Sequence, residues 1–251
     1  MFGCQSLKVK QPMAHFGSPK KAKYAEAGIV KDLTVESTVP QDGSALVQKS
    51  RRSDFLVLSL FAENLYFNYN VDSGAEFGWR YQGSKEVQIF GGMEFHFVLN
   101  AGLLTSVSQK GKFNACSHNS ACNKETGMNF GGGAGGLSFG TNLGEDLTLY
   151  LGVASLASKI ETVYNRPTLC SGGTCLSSER WAHQENFLSA VVGVGVDYSL
   201  PSTNFLVSAR ANKNNWTLAD EGSKSDLSLG VFIQYPKRDH DENLTTQLPP
   251  K

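Results

Sequence analysis

The stretch Glu185–Ser202, ENFLSAVVGVGVDYSLPS, decides the fold. Its even-numbered positions Leu188, Ala190, Val192, Val194, Val196, Tyr198 and Leu200 are apolar, with an aromatic near one end. Its odd-numbered positions Ser189, Val191, Gly193, Gly195, Asp197 and Ser199 are small or polar. A period of two belongs to a β-strand, whose successive side chains point to opposite faces. One face is greasy and the other carries glycines and a carboxylate, so the two meet different surroundings.

The same alternation, broken by turn signals, runs from residue 54 to 235. NLYFNYNV sets Leu65, Phe67, Tyr69 and Val71 against Asn64, Tyr66, Asn68 and Asn70. After the turn DSG, AEFGWRYQ sets Ala75, Phe77, Trp79 and Tyr81 against Glu76, Gly78, Arg80 and Gln82. GSK reads as a turn before EVQIFGGMEFHFVLN, and the glycine-rich MNFGGGAGGLSFGTNL leads to the turn GED. LTLYLGVASLA, the opening strand, the turn PSTN, NFLVSARAN, the turn ADEGSK and DLSLGVFIQY complete the series. These patterns predict an all-β, up-and-down antiparallel barrel of about eight strands. Ten result if DFLVLSLF stands as its own strand and NAG at 100–102 is a turn. The loops fall into two sets, long ones at one end and tight turns (GSK, GED, PSTN) at the other, as in membrane barrels.

Side-chain size and charge distinguish a membrane barrel from a soluble one. The polar faces hold few lysines, which a water-bathed exterior usually displays. They hold Glu76, Arg80, Glu94, His96, Asp197 and Arg210 among glycines and serines. Opposed charges among small residues suit a narrow interior filled by ion pairs, because a desolvated charge needs a partner. The other faces are nearly charge-free and rich in Phe, Leu, Val, Trp and Tyr. Lipid outside and a packed polar lumen inside is the expected arrangement.

The last strand, SLGVFIQY, carries a resemblance to a known family. Ser228, Gly230, Ile233 and Tyr235 match the polar, glycine, hydrophobic and terminal aromatic positions that end outer-membrane barrels. The region 64–235 thus resembles a small bacterial outer-membrane β-barrel of the OmpX-like or OmpW-like type. The resemblance implies a bacterial outer-membrane location, outer-membrane lipid as surroundings, and the barrel-insertion machinery as a partner reading those four residues. It implies long loops outside the cell and both termini in the periplasm. It departs from the pattern in that Ile233 is not aromatic and a polar tail, 237–251, follows.

Residues 1–52 read differently, with many lysines, three prolines and little hydrophobic period, as a basic, largely irregular periplasmic tether before a barrel over 53–236. Phe2-Gly3-Cys4 resembles the end of a lipoprotein signal, which would make Cys4 a lipidated residue; the alternative is a cysteine near an initiator methionine. Four further cysteines form two local pairs, Cys116 with Cys122 and Cys170 with Cys175, each in a polar loop. Spacing favours disulfides in an oxidising compartment over a four-thiolate zinc site. Formal net charge is zero over 251 residues, which argues against a nucleic-acid partner. The longest apolar run, FLVLSLF at 55–61, is far too short for a membrane-spanning helix.

Little here reads as catalysis. Glu94 and His96 are the only acid–base pair on an inner face, and no nucleophile with a positioned base accompanies them. GGGAGG at 131–136 lacks the Lys and Ser/Thr of a phosphate loop. No metal or cofactor is expected. The expected function is non-enzymatic: a barrel presenting disulfide-pinned loops, 112–125 and 166–180, to an extracellular partner. The alternatives are a small-solute or hydrophobic-molecule channel, a lipid-modifying barrel enzyme, and a soluble ligand-binding barrel.

Overall fold

The computed structural model describes residues 4–7, 23–38, 47–62, 64–71, 74–87, 93–106, 109–111, 126–144, 146–171, 174–218 and 222–235. All elements among them are strands: β1 Cys4–Leu7, β2 Tyr24–Thr38, β3 Val47–Phe61, β4 Leu65–Asn70, β5 Gly74–Val87 and β6 Met93–Ser106. β7 Gln109–Gly111, β8 Thr126–Asn142, β9 Leu147–Ser171, β10 Thr174–Ser199, β11 Leu206–Leu218 and β12 Gly222–Tyr235 follow. Ten of these, β2–β6 and β8–β12, pair antiparallel with their neighbours and close when β2 pairs with both β3 and β12. β1 and β7 are short additions on β2 and β8. Closure leaves few free sheet edges in the lower wall, which is how an antiparallel sheet with a greasy outer face limits edge-to-edge association.

The count of ten arises differently from the alternative drawn from the sequence. DFLVLSLF is indeed a separate strand, ended by a tight turn in which Ala62 N donates to Leu65 O at 2.8 Å. NAG at 100–102 is no turn but lies inside β6. The other additional strand is β2, which lies wholly within the stretch read as tether. GSK is also no turn: Gly83, Ser84 and Lys85 continue β5, paired with Phe97, His96 and Phe95. The second cysteine loop is not a loop either, because β9 and β10 run on as a ribbon and only 172–173 connect them.

Two rims result. β3, β5, β8, β10 and β12 end, and β2, β4, β6, β9 and β11 begin, at one rim, the short-turn rim. At this rim Gly144 takes a φ of 86° and Leu143 N donates to Leu147 O at 2.8 Å. β2, β4, β6, β9 and β11 end, and β3, β5, β8, β10 and β12 begin, at the opposite, tall rim. β11 pairs with β10 only up to Leu218–Phe187. Residues 174–186 therefore rise beyond it by roughly 40 Å at strand spacing. The pairing also climbs: successive partners from Phe61 at the short-turn end of β3 lead through Gly78, Ala134 and Ser189 to Lys224 near the tall end of β12. That stagger is what tilted strands in a closed barrel require.

Candidate functional site

Alternation sorts every strand into a lumen face and an outer face. On β10 the outward Leu188, Val192, Val194 and Tyr198 are each about half exposed, while Val191, Asp197 and Ser189 point inward and are buried. The same holds for Leu56, Leu58 and Leu60 on β3, Phe77, Trp79 and Tyr81 on β5, and Leu227 to Tyr235 on β12. The inner set is polar: Glu26, Asp32, Asn68, Glu76, Arg80, Asn100, Asp197, Arg210, Asn212 and Asn214 are at most 5% exposed. The barrel is thus greasy outside, and its charged and amide side chains are gathered inside among apolar ones.

Two clusters hold both buried arginines. In the first, the Arg210 guanidinium on β11 grips Glu26 on β2, with Nη1 donating to Oε1 at 3.0 Å and Nη2 to Oε2 at 2.5 Å. Its Nε donates to Tyr150 Oη at 3.0 Å and Ser208 Oγ at 3.2 Å. Gln234 Nε2 adds a third bond to Glu26 at 3.0 Å. The guanidinium also lies over the Phe232 ring, 3.9 Å from its centroid. Two-pronged pairing with each guanidinium nitrogen hydrogen-bonded is the condition under which a buried charge pair is tolerated.

The second cluster surrounds Glu76 and Arg80 on β5. Glu76 accepts from Tyr66 Oη at 2.7 Å and Asn68 Nδ2 at 3.3 Å. Arg80 Nη1 donates to Tyr24 Oη at 3.3 Å, and its guanidinium lies over Phe61 and Tyr24 at 4.8 and 5.5 Å. With its amide turned to present oxygen, Gln82 accepts from Arg80 Nε at 2.7 Å. Toward the tall rim on the β8–β11 side the lumen becomes apolar. Leu104, Phe130, Leu156, Ile160, Phe187 and Trp216 pack there, with Phe187 and Trp216 stacked at 6.2 Å. Glycines make this filling feasible: a Cβ on Gly195 would run into the Tyr150 ring, and one on Gly28 into Phe232.

Four of the six expected lumen residues, Glu76, Arg80, Asp197 and Arg210, are buried inside, with Glu76 and Arg80 in one cluster and Arg210 in the other. His96 is on β6 with its Nε2 buried, and the side chain of Glu94 lies outside the described residues. The residues that the sequence did not point to are Glu26, Tyr24 and Asp32 on β2; their signal was the alternation Glu26, Gly28, Val30, Asp32, masked by the surrounding lysines. Ser228 and Gly230 face inward, whereas Ile233 and Tyr235 face out at 54% and 51% exposure. Cys116 and Cys122 lie outside the described residues. The backbone sets Cys170 opposite Cys175 across β9 and β10. Cys4 pairs with Thr38 at the tall rim, not at the rim where β2 begins. Among the described residues no group of three His, Cys, Asp or Glu is arranged to hold a metal ion. No protein-family model matches the sequence, and no curated protein is similar to it.

Proposed function

We propose that the chain is a bacterial outer-membrane β-barrel that acts through the surface it raises at the tall rim, without catalysis or steady conduction. The observation that carries this is the inversion of faces: apolar outside, charged and hydrogen-bonded inside. Two features of the outer face support it. Tyr81, Phe97, Phe139, Tyr198, Phe205 and Tyr235 all lie toward the short-turn rim, with Phe205 and Tyr235 in contact at 5.3 Å and Tyr81 and Phe97 at 6.0 Å. Aromatic rings gathered toward one rim are what a membrane–water boundary favours. Toward the other rim the apolar band gives way to outward Lys31, Asp54, Lys159 and Lys213. On β10 the band covers Leu188–Tyr198, close to the ~9–11 residues a tilted membrane strand needs.

Orientation follows from connectivity. With the short-turn rim in the periplasm, β2 would start and β12 would end there, and the β9–β10 ribbon would project outside the cell. The near-zero exposure of the lumen side chains supports a plugged barrel over the channel reading. It leaves the projecting ribbon and the 107–125 connection as the surfaces for an extracellular partner. Membrane fractionation with detergent extraction tests the reading: the protein should sediment with outer membranes and require detergent. A soluble monomer in detergent-free buffer would overturn it. Planar-bilayer recording should give no steady current, and stable ohmic steps lost on Arg210 substitution would move conduction to first place.

A further inference from the structure

The two edges of β2 are not served alike. Toward β3 it is paired along its full length, Tyr24–Thr38. Toward β12 the ladder covers only Ala25–Lys31 against Leu229–Tyr235. Both strands continue beyond it, β2 to Thr38 and β12 back to Gly222. At Val35–Thr38 the same edge of β2 takes up β1 instead. The wall therefore forks above the Lys31–Leu229 pair. Above that point, β12 pairs with no described strand on its β2 side.

Among the described residues, side chains bridge the fork. Ser228 Oγ donates to Asp32 Oδ1 at 3.3 Å, and Arg52 Nε on β3 lies 3.8 Å from Asp226 Oδ2. Asn214 on β11 steadies the β12 side, donating to Asp226 at 3.1 Å and to Ser228. Below the fork the seam is bound far more tightly, by seven paired residues and by Glu26, which joins β2, β11 and β12 from within. The Arg52 side chain is 46% exposed, so its ion pair is open to water and screened by salt. Parting the strands above the fork breaks no backbone hydrogen bond between β2 and β12.

We propose that this fork is a lateral gate: β2 and β12 part above Lys31–Leu229 while the lower seam stays shut, and the Arg52–Asp226 pair is its latch. Opening would bring the carboxylates of Asp32 and Asp226 and the amide of Asn214 to the side of the barrel, a lining suited to cationic or hydrogen-bonding groups. The gate follows from the strand pairing and the side-chain bridges across the fork, and it does not depend on where the barrel resides.

Spin labels placed at Leu33→Cys and Leu227→Cys, each two residues beyond the last ladder pair, report on the fork. Labels at Ala27→Cys and Ile233→Cys, directly opposite in the lower seam, are the control. In the folded full chain the fork pair should show two distance populations and the control pair one. Asp226→Asn should shift the fork populations toward the longer distance at least threefold and leave the control unmoved. Raising salt on the otherwise unsubstituted labelled protein should do the same, which keeps the test intact if Asp226→Asn folds poorly. A single fork distance insensitive to both changes would overturn the gate. So would broadening of both pairs together, since that reports general loosening.

Discussion

Arg210 and Glu26 stand 184 positions apart in the chain and meet inside the barrel as a two-pronged ion pair that reaches across β12. Arg210 is 2% exposed and Glu26 3%. Substituting Glu26→Gln leaves a buried guanidinium without its counter-charge, for which a loss of about 3–5 kcal/mol is expected. Urea unfolding in detergent or lipid measures it. Glu26→Met with Arg210→Met removes both charges and should recover much of that loss, which shows that the cost lies in the orphaned cation.

Val194 points outward near the middle of β10 with 59% exposure. Val194→Arg should cost about 2–4 kcal/mol if that position meets mid-bilayer lipid. Lys213→Arg, at the border of the apolar band, should change stability little. Equal, near-zero effects at both positions in lipid vesicles would count against a membrane-facing surface.

Two glycines that look alike in sequence should respond in opposite ways. An alanine methyl at Gly28 would run into Phe232 and the Val231 carbonyl, whereas one at Gly133 meets only the Gly102 carbonyl oxygen at 3.6 Å. Gly28→Ala should therefore destabilise the barrel by about 1–3 kcal/mol through overpacking. Gly133→Ala should stay within about 0.5 kcal/mol of the parent. Parallel thermal melts of the two variants decide the point.

Cys170 and Cys175 are directly opposed residues of adjacent strands. A disulfide between them is expected on secretion into an oxidising compartment, and non-reducing peptide mapping should find the 170–175 linkage. Free thiols at both positions in protein taken from the envelope would remove the oxidising-compartment reading. The loop between them is short, so Cys170→Ser should alter the ribbon's tip more than barrel stability.

The alternation of Leu188–Tyr198 already told which residues share a face, because a strand has only two faces. What it withheld was the closing strand. β2 turns Glu26, Gly28 and Asp32 inward and exposes Lys31, so hydrophobic contrast, the main signal for a strand, is nearly absent in a stretch surrounded by lysines. The pairing of Arg210 was consequently out of reach, since its partner sat in a segment whose alternation has little hydrophobic contrast. Gly83 misled for a different reason: its bare Cα lies beneath the Phe97 ring of the neighbouring strand, so a packing glycine was read as a turn. Conversely, Gly144 is a true turn residue with positive φ, and the two cannot be told apart without the partner strand.

Ala25 and Tyr235, near the start of β2 and at the end of β12, are cross-strand neighbours on one rim. The order of strands in the sequence is therefore not essential to the architecture. A chain that opens at Thr174, passes from Tyr235 to Tyr24 through a brief linker and finishes at Ser171 would retain every pairing of the closed wall. The ribbon tip would become two loose ends, and the β2–β12 seam would be covalently continuous. In such a permuted molecule the β9–β10 seam, instead of β2–β12, joins the first strand of the chain to the last.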